Sequence, residues 1–121
     1  MRKIVIGGQI DKEEVRQLVE SHAEGKFDMT VKSDLDAAMA VKSGQADFYL
    51  GACNTGGGGA LAMALALLGR ENCVTVSMPS NVMSEAEIRE NVQGGKKAFG
   101  FTAQHKEIVI PIIMDELKKL N

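Results

Sequence analysis

Short β-branched and apolar runs alternate with helix-patterned stretches along the whole 121-residue chain, at intervals too brief for a linker. Strand–helix–strand alternation leaves few folds open, because it feeds parallel strands into one sheet with helices packed on its faces. The first strand covers residues 3–7. Asp11, with Glu14 three positions later, then signals a helix carrying Val15, Leu18, Val19 and His22 on its apolar face and closed by Gly25. Residues 27–31 read as the second strand; Ser33, with Asp36 three positions on, opens a helix burying Leu35, Ala38 and Met39, and Gly44 ends it. A third strand spans 46–52, a helix 58–68 and a fourth strand 73–78. Ser84 and Glu87 form a capping box ahead of Ile88 and Val92, Gly94-Gly95 stop that helix, and the last strand covers 97–101. Finally, Ile108, Val109, Ile112, Ile113, Leu117 and Leu120 keep helical spacing around Pro111, which predicts a kinked helix. The alternative is a sixth strand at 107–110, with Pro111 opening a shorter helix.

These units predict one domain over residues 1–121, since a split would leave each part too short to bury a core. Its expected architecture is a three-layer, doubly wound α/β fold, Rossmann-like or flavodoxin-like, around a five-stranded parallel sheet ordered 2-1-3-4-5. In that order the loops after the first and third strands flank the switch point, where open α/β sheets bind ligands.

Charge and composition narrow the partners. Fourteen Lys and Arg stand against 16 Asp and Glu, without a basic cluster, so the footprint that nucleic acid or an anionic membrane requires is missing. The apolar stretch after Met1-Arg2-Lys3 is too short for a signal peptide, and residues 56–69 fall short of a membrane span of roughly 18–20 strongly apolar residues. A cytoplasmic location is expected, with Cys53 and Cys73 reduced and unbridged. Neither histidine sits at zinc spacing with the cysteines, so no metal and no cofactor are expected.

The segment after the third strand carries the strongest functional signal: Cys53, Asn54, Thr55, Gly56, Gly57, Gly58 and Gly59, followed by an Ala- and Leu-rich helix. Consecutive glycines at a strand-to-helix turn suit positive φ angles or close approach of backbone to a ligand, and free N–H groups at a helix start favour an anion. A flexible glycine linker is the plain alternative. No Lys follows the last glycine, so the run is not a P-loop, and a dinucleotide fingerprint belongs after the first strand. The other strand ends bring Gly8 and Gln9, Ser77 and Ser80, and Thr102, Gln104 and His105 to the same edge as ligand-binding candidates. Cys53, at the approach to the helix, is a candidate base or nucleophile, or else a buried strand-end thiol. His105, beside Gln104, is a candidate ligand or acid–base group, or else solvent-facing. The apolar helix at 60–68 lacks a polar outer side, which predicts a homodimer or larger assembly through it; close packing against neighbours within the chain is the alternative.

Nearly the whole chain resembles the YhfU-like family of small bacterial proteins. The likeness rests on Lys3-Ile4-Val5-Ile6-Gly7-Gly8-Gln9-Ile10-Asp11, on Val31-Lys32-Ser33-Asp34-Leu35, on Gly51-Ala52-Cys53 through Gly59, and on Ala98-Phe99-Gly100-Phe101-Thr102-Ala103-Gln104-His105. That family has no assigned activity. The resemblance implies a bacterial cytoplasmic protein encoded with a polytopic membrane protein and metabolic enzymes, hence an accessory to transport or to small-molecule metabolism. More loosely, Cys53-Asn54-Thr55-Gly56-Gly57-Gly58 resembles the Cys-Gly-Thr-Gly-Ile-Gly turn of the ribose 5-phosphate isomerase B family. By that likeness Cys53 would move a proton next to a carbonyl, and Thr55 with Gly56, Gly57 and Gly58 would hold the oxyanion. The chain departs from that family after the first strand, where Gly8-Gln9 replaces an Asp-His pair, and after the fourth strand, where no histidine follows.

Overall fold

The computed structural model describes residues 1–54 and 61–120. Five parallel strands, β1 (Arg2–Gly8), β2 (Phe27–Val31), β3 (Phe48–Cys53), β4 (Cys73–Thr75) and β7 (Ala98–Thr102), form one sheet ordered β2-β1-β3-β7-β4. Between β4 and β7 lies a small antiparallel hairpin of β5 (Ser77–Met78) and β6 (Asn81–Val82). Helices α1 (Lys12–Ala23), α4 (Glu85–Gln93) and α5 (Lys106–Lys119) supply the core on one face, and α2 (Asp34–Lys42) and α3 (Ala62–Leu68) the core on the other. The three-layer parallel α/β architecture is the one expected. No helix among the described residues is long and apolar enough to cross a membrane.

The strand order corrects the expected 2-1-3-4-5. The last strand in the chain, β7, inserts between β3 and β4, so that among the five parallel strands the order is 2-1-3-5-4. Burial explains the exchange. Every residue of β7 is buried, as is every residue of β3, which suits strands covered on both faces. β4 has three residues, of which Val74 and Thr75 are only half-buried, and it takes the edge. The expected strand 73–78 is therefore divided: pairing with β7 stops at Thr75, and Ser77 enters the hairpin.

Local signals act mostly as expected. The Ser33 and Ser84 hydroxyls each accept the N–H three residues on, at 3.2 Å, and Ser84 also donates to Glu87 Oε1 at 3.0 Å. α5 runs as helix through Pro111. Two local readings are corrected: Leu35 and Met39, expected to be buried by α2, are 50% and 46% exposed, its buried side being Ala37, Ala38, Ala40 and Val41, and Asp11 does not cap α1. It precedes α1 with φ 53°, in the left-handed region, and caps no backbone N–H. Its carboxylate instead meets Lys106 Nζ at 3.4 Å, tying the start of α1 to the start of α5. Where α4 meets α5, the buried Glu116 accepts from Lys119 (2.7 Å), Gln93 (2.8 Å) and Arg89 (2.7 Å), which together hold its carboxyl down to about 2. Arg89 also grips Glu85 at 3.0 Å and Asp115 at 2.6 Å.

Candidate functional site

The carboxyl ends of β1, β3 and β7 define the site. Their registers put Gly7 beside Gly51, Gly8 beside Ala52, and Cys53 beside Thr102. Side chains alternate along a strand, so Tyr49, Gly51 and Cys53 share the α2/α3 face of the sheet, and in-register Thr102 stands next to Cys53 on that face. Both are buried, Cys53 at 1% exposure and Thr102 at 3%. The Thr102 N–H donates to Ser77 Oγ at 2.9 Å, but its own hydroxyl, Oγ1, has no partner among the described residues. A buried polar atom left unpaired costs on the order of 1–3 kcal/mol, so it marks a place where a ligand or water is wanted.

Tyr49 shapes the floor. Its ring lies where side chains at Gly7 and Gly51 would otherwise stand: a Cβ on Gly51 would come within 2.9 Å of Tyr49 Cε1 and hydroxyl, and one on Gly7 would collide with Cε2. The hydroxyl, fully buried, accepts the Gly8 N–H at 2.9 Å and donates to Asp34 Oδ1 at 2.5 Å. Burial pushes the phenol well above its ordinary value, with the hydrogen bond and charge of Asp34 adding to the rise and the Gly8 N–H opposing it; a thiolate at Cys53 would raise it further. Gly8 itself has φ 77° and lies against the Ala52 backbone, and the next residue, Gln9, donates its N–H to Ala52 O at 2.9 Å.

The other sequence candidates divide. Gln9 and Asn54 are exposed at the edge, while Ser80 is exposed at the tip of the β5–β6 hairpin. Gln104 is exposed, with Nε2 3.4 Å from Pro79 O and 3.3 Å from His105 Nε2. His105 is half-buried, and its Nδ1 is buried without a partner among the described residues. Thr55, Gly56, Gly57, Gly58 and Gly59 lie outside the described residues. Two backbone or hydroxyl groups expected to meet a ligand are engaged within the protein: the Gly8 N–H on Tyr49 and the Ser77 hydroxyl on Thr102. Cys73 is remote from this edge, at the start of β4, and burial pushes its thiol up. Among the described residues no group of three or more His, Cys, Asp or Glu is placed to hold a metal.

Sequence reading missed Tyr49 and Asp34. Tyr49 reads as an ordinary strand aromatic, and Asp34 as a first-turn acid beside the Ser33 cap. The available signal was Gly7 and Gly51 within apolar strands, since glycine there often marks the close approach of another group.

This arrangement is that of an α/β protein of the type B ribose 5-phosphate isomerase kind in fold. Over 98% of this chain and 86% of that one, the Trypanosoma brucei type B enzyme superposes with TM-score 0.70 at 17% identity. The Thermotoga maritima enzyme gives 0.69 at 16% identity over 97% of this chain and 86% of its own, and the Giardia lamblia enzyme 0.63 at 18% over 97% and 87%. By its match over residues 2–117, the chain belongs to the family described as protein of unknown function DUF2620. It is 39% identical over 118 residues to the uncharacterized protein YhfU of Escherichia coli K12, covering 98% of this chain and all of that one, and it matches YhfU of Shigella flexneri to the same extent.

Proposed function

We propose that this protein binds a small anionic or phosphorylated metabolite at the carboxyl edge of β1, β3 and β7, with Asn54, Thr55 and Gly56 to Gly59 receiving the anionic group. The observation that carries the reading is Thr102 Oγ1, a buried hydroxyl without a partner among the described residues, set in register beside Cys53 on two fully buried strands. The glycine-rich segment follows Cys53 directly. Solved enzymes of the same fold are ribose 5-phosphate isomerases, acting on a phosphorylated sugar, which supports a ligand of that class. A second reading makes the protein an isomerase-like enzyme that moves a proton next to a carbonyl through Cys53, with His105 or Gln104 assisting. The buried placement of Cys53 beside the open Thr102 hydroxyl favours it.

A homodimer goes with either reading. Met63 and Leu65 of α3 and Leu35 and Met39 of α2 are 38–50% exposed on helices that pack against one another, which supports a second copy as their cover. The setting proposed is the cytoplasm, as an accessory to a transporter or to a metabolic enzyme.

Thermal-shift titration with inorganic phosphate, sugar phosphates and small carboxylates tests the binding reading. A ligand at about 100 times its dissociation constant adds roughly 2.7 kcal/mol. A saturable rise with one class is expected; no rise with any of them overturns it. C53A separates the two readings, because a receptor keeps its ligand whereas an isomerase loses turnover by orders of magnitude. Sedimentation at micromolar concentration is expected to give a dimer, and a monomer removes that part.

A further inference from the structure

We infer that Gln104 is a positioning residue for His105: held by the Pro79 carbonyl, its amide keeps the neutral imidazole in the Nδ1–H form. His105 then meets the ligand as a hydrogen-bond donor and takes an oxygen that accepts, as in a carbonyl, carboxylate or phosphate group. This second half rests on the ligand-binding reading above; the first half concerns the protein alone.

The β5–β6 hairpin keeps step with the end of β7. The Val76 N–H donates to Gly100 O at 2.9 Å, and the buried Ser77 hydroxyl accepts the Thr102 N–H at 2.9 Å. Two residues further along both segments, again 25 positions apart in sequence, Gln104 Nε2 lies 3.4 Å from Pro79 O. The buried bond at Ser77 thus fixes where the Pro79 carbonyl stands. Proline has no N–H, so that carbonyl is the only backbone group it offers, and a carbonyl oxygen only accepts. The Gln104 amide must turn its NH2 side to it, because the flipped amide would set oxygen against oxygen. An amide nitrogen carries two hydrogens and accepts nothing. One serves Pro79 O, which leaves the other for His105 Nε2, 3.3 Å away. Nε2 therefore accepts, and in a neutral imidazole the proton then sits on the other nitrogen, Nδ1.

Nδ1 is the atom that is buried without a partner among the described residues. A donor shut away from water and left unpaired is costly, and an acceptor oxygen placed against it relieves that cost. His105 closes the short turn Ala103–His105 that follows β7, at the strand-end edge where the Thr102 hydroxyl also lacks a partner among the described residues. The neighbouring charged pair does not answer the ring: Lys106 Nζ is occupied by Asp11 Oδ2 and Ala103 O, both at 3.4 Å. An ammonium group has no lone pair to offer Nδ1–H, whereas carbonyl, carboxylate and phosphate oxygens do. In the proton-transfer reading, His105 accordingly serves as a donor to the carbonyl oxygen and not as the base.

Long-range proton–nitrogen NMR correlations of the imidazole rings, recorded on the full-length protein at a pH where they are uncharged, tell the two tautomers apart. His22 is the only other histidine, so H22Q assigns the His105 signals. Gln104 is exposed, so its replacement leaves the core intact. The Nδ1–H form is expected in the wild type and the Nε2–H form in Q104E, because the carboxylate that replaces the amide only accepts. Q104A should fall back toward the Nε2–H form that a free imidazole favours. A wild-type ring in the Nε2–H form overturns the proposal, as does one tautomer shared by wild type and Q104E. The second half is read with inorganic phosphate, ribose 5-phosphate and acetate as probes. A probe that stabilises the wild type should shift the Nδ1–H resonance and bind Q104A several-fold more weakly. Binding that leaves that resonance in place overturns the second half while the ligand-binding reading survives. Binding of none of the probes overturns the second half together with that reading, and the spectra then decide the role of Gln104 alone.

Discussion

On the side of α1, α4 and α5 the sheet presents Ile4, Ile6, Leu50, Phe99 and Phe101 to Ile110, Ile113, Met114 and Leu117, all fully buried. On the side of α2 and α3 it presents Val5, Tyr49 and Ala98 to Ala37, Ala38, Ala40, Val41, Leu61 and Ala64. One interior is large, aliphatic and aromatic, and its helices are laced together outside by Arg89, Glu116 and Lys119. The other is made of small side chains around a single phenol, and its helices leave Leu35, Met39, Met63 and Leu65 exposed. The difference teaches a division of labour: bulk on the first face supplies stability, and smallness on the second makes room for a polar device at the strand ends. The first face should therefore be sensitive to lost volume and the second to added volume.

The largest effect is expected from F99A. Phe99 is fully buried on an inner strand, and truncating such a ring costs about 3–5 kcal/mol. Chemical denaturation measures it, and a cost under about 1 kcal/mol would deny that this face carries the stability. The opposite change is the informative one on the other side. G7A adds one methyl that collides with the Tyr49 ring and stands 2.8 Å from Ala37 Cβ, an overpacking expected to cost about 1–3 kcal/mol. A neutral G7A would mean that the ring has free room and that the glycine trough has no role.

Much of this division was readable in advance, and the unread part has a physical cause. The helices announced themselves through Ser33, Ser84 and the spacing of Ile108 to Leu120, because caps and periodicity are local. Strand order was not, since which of two apolar strands takes the edge is decided by how both faces are covered; β4 and β7 exchanged places on that account. Asp11 reads as a cap in sequence, yet a left-handed backbone turns its carboxylate toward Lys106, 95 positions away. The edge cluster of Cys53, Thr102 and Ser77 followed from topology, which places strand ends together whatever their order. Tyr49 with Asp34 did not, because a hydrogen bond across 15 residues leaves no spacing pattern.

The two faces should also answer to opposite ends of the pH scale. Glu116 has its carboxyl lowered from 4.5 to about 2 in the folded protein, so the stability it contributes is present above about pH 4.5 and is lost as the pH falls toward 2. E116Q is expected to flatten that acid limb. Tyr49 has its phenol raised, so its contribution is complete below about pH 10 and is lost as the pH climbs further, by about 1.4 kcal/mol per pH unit. Y49F leaves the buried Gly8 N–H without a partner and should be less stable than wild type by about 1–3 kcal/mol at pH 8. Above pH 10 the gap should close. Denaturant midpoints at half-unit pH steps would show it, and a gap constant up to about pH 11 would mean that the phenol titrates normally.

The smallest effect tests whether the faces differ in packing alone or also in how firmly their helices are started. Ser33 opens α2 and Ser84 opens α4, each accepting an N–H at 3.2 Å, one helix on each face. Loss of such a cap costs about 1 kcal/mol, so S33A and S84A should destabilise the protein by similar amounts. Ser84 has one further contact, to Glu87 Oε1 at 3.0 Å, but both partners are exposed and the bond adds little in water. Their consequences should part at the site. Ser33 sets the turn on which Asp34 is the first helical residue, so S33A should also shift the Tyr49 titration that Asp34 helps to raise, whereas S84A should leave it unmoved. If S84A moves the titration as much as S33A, the phenol responds to global loosening, and the separation of stability from site between the two faces fails.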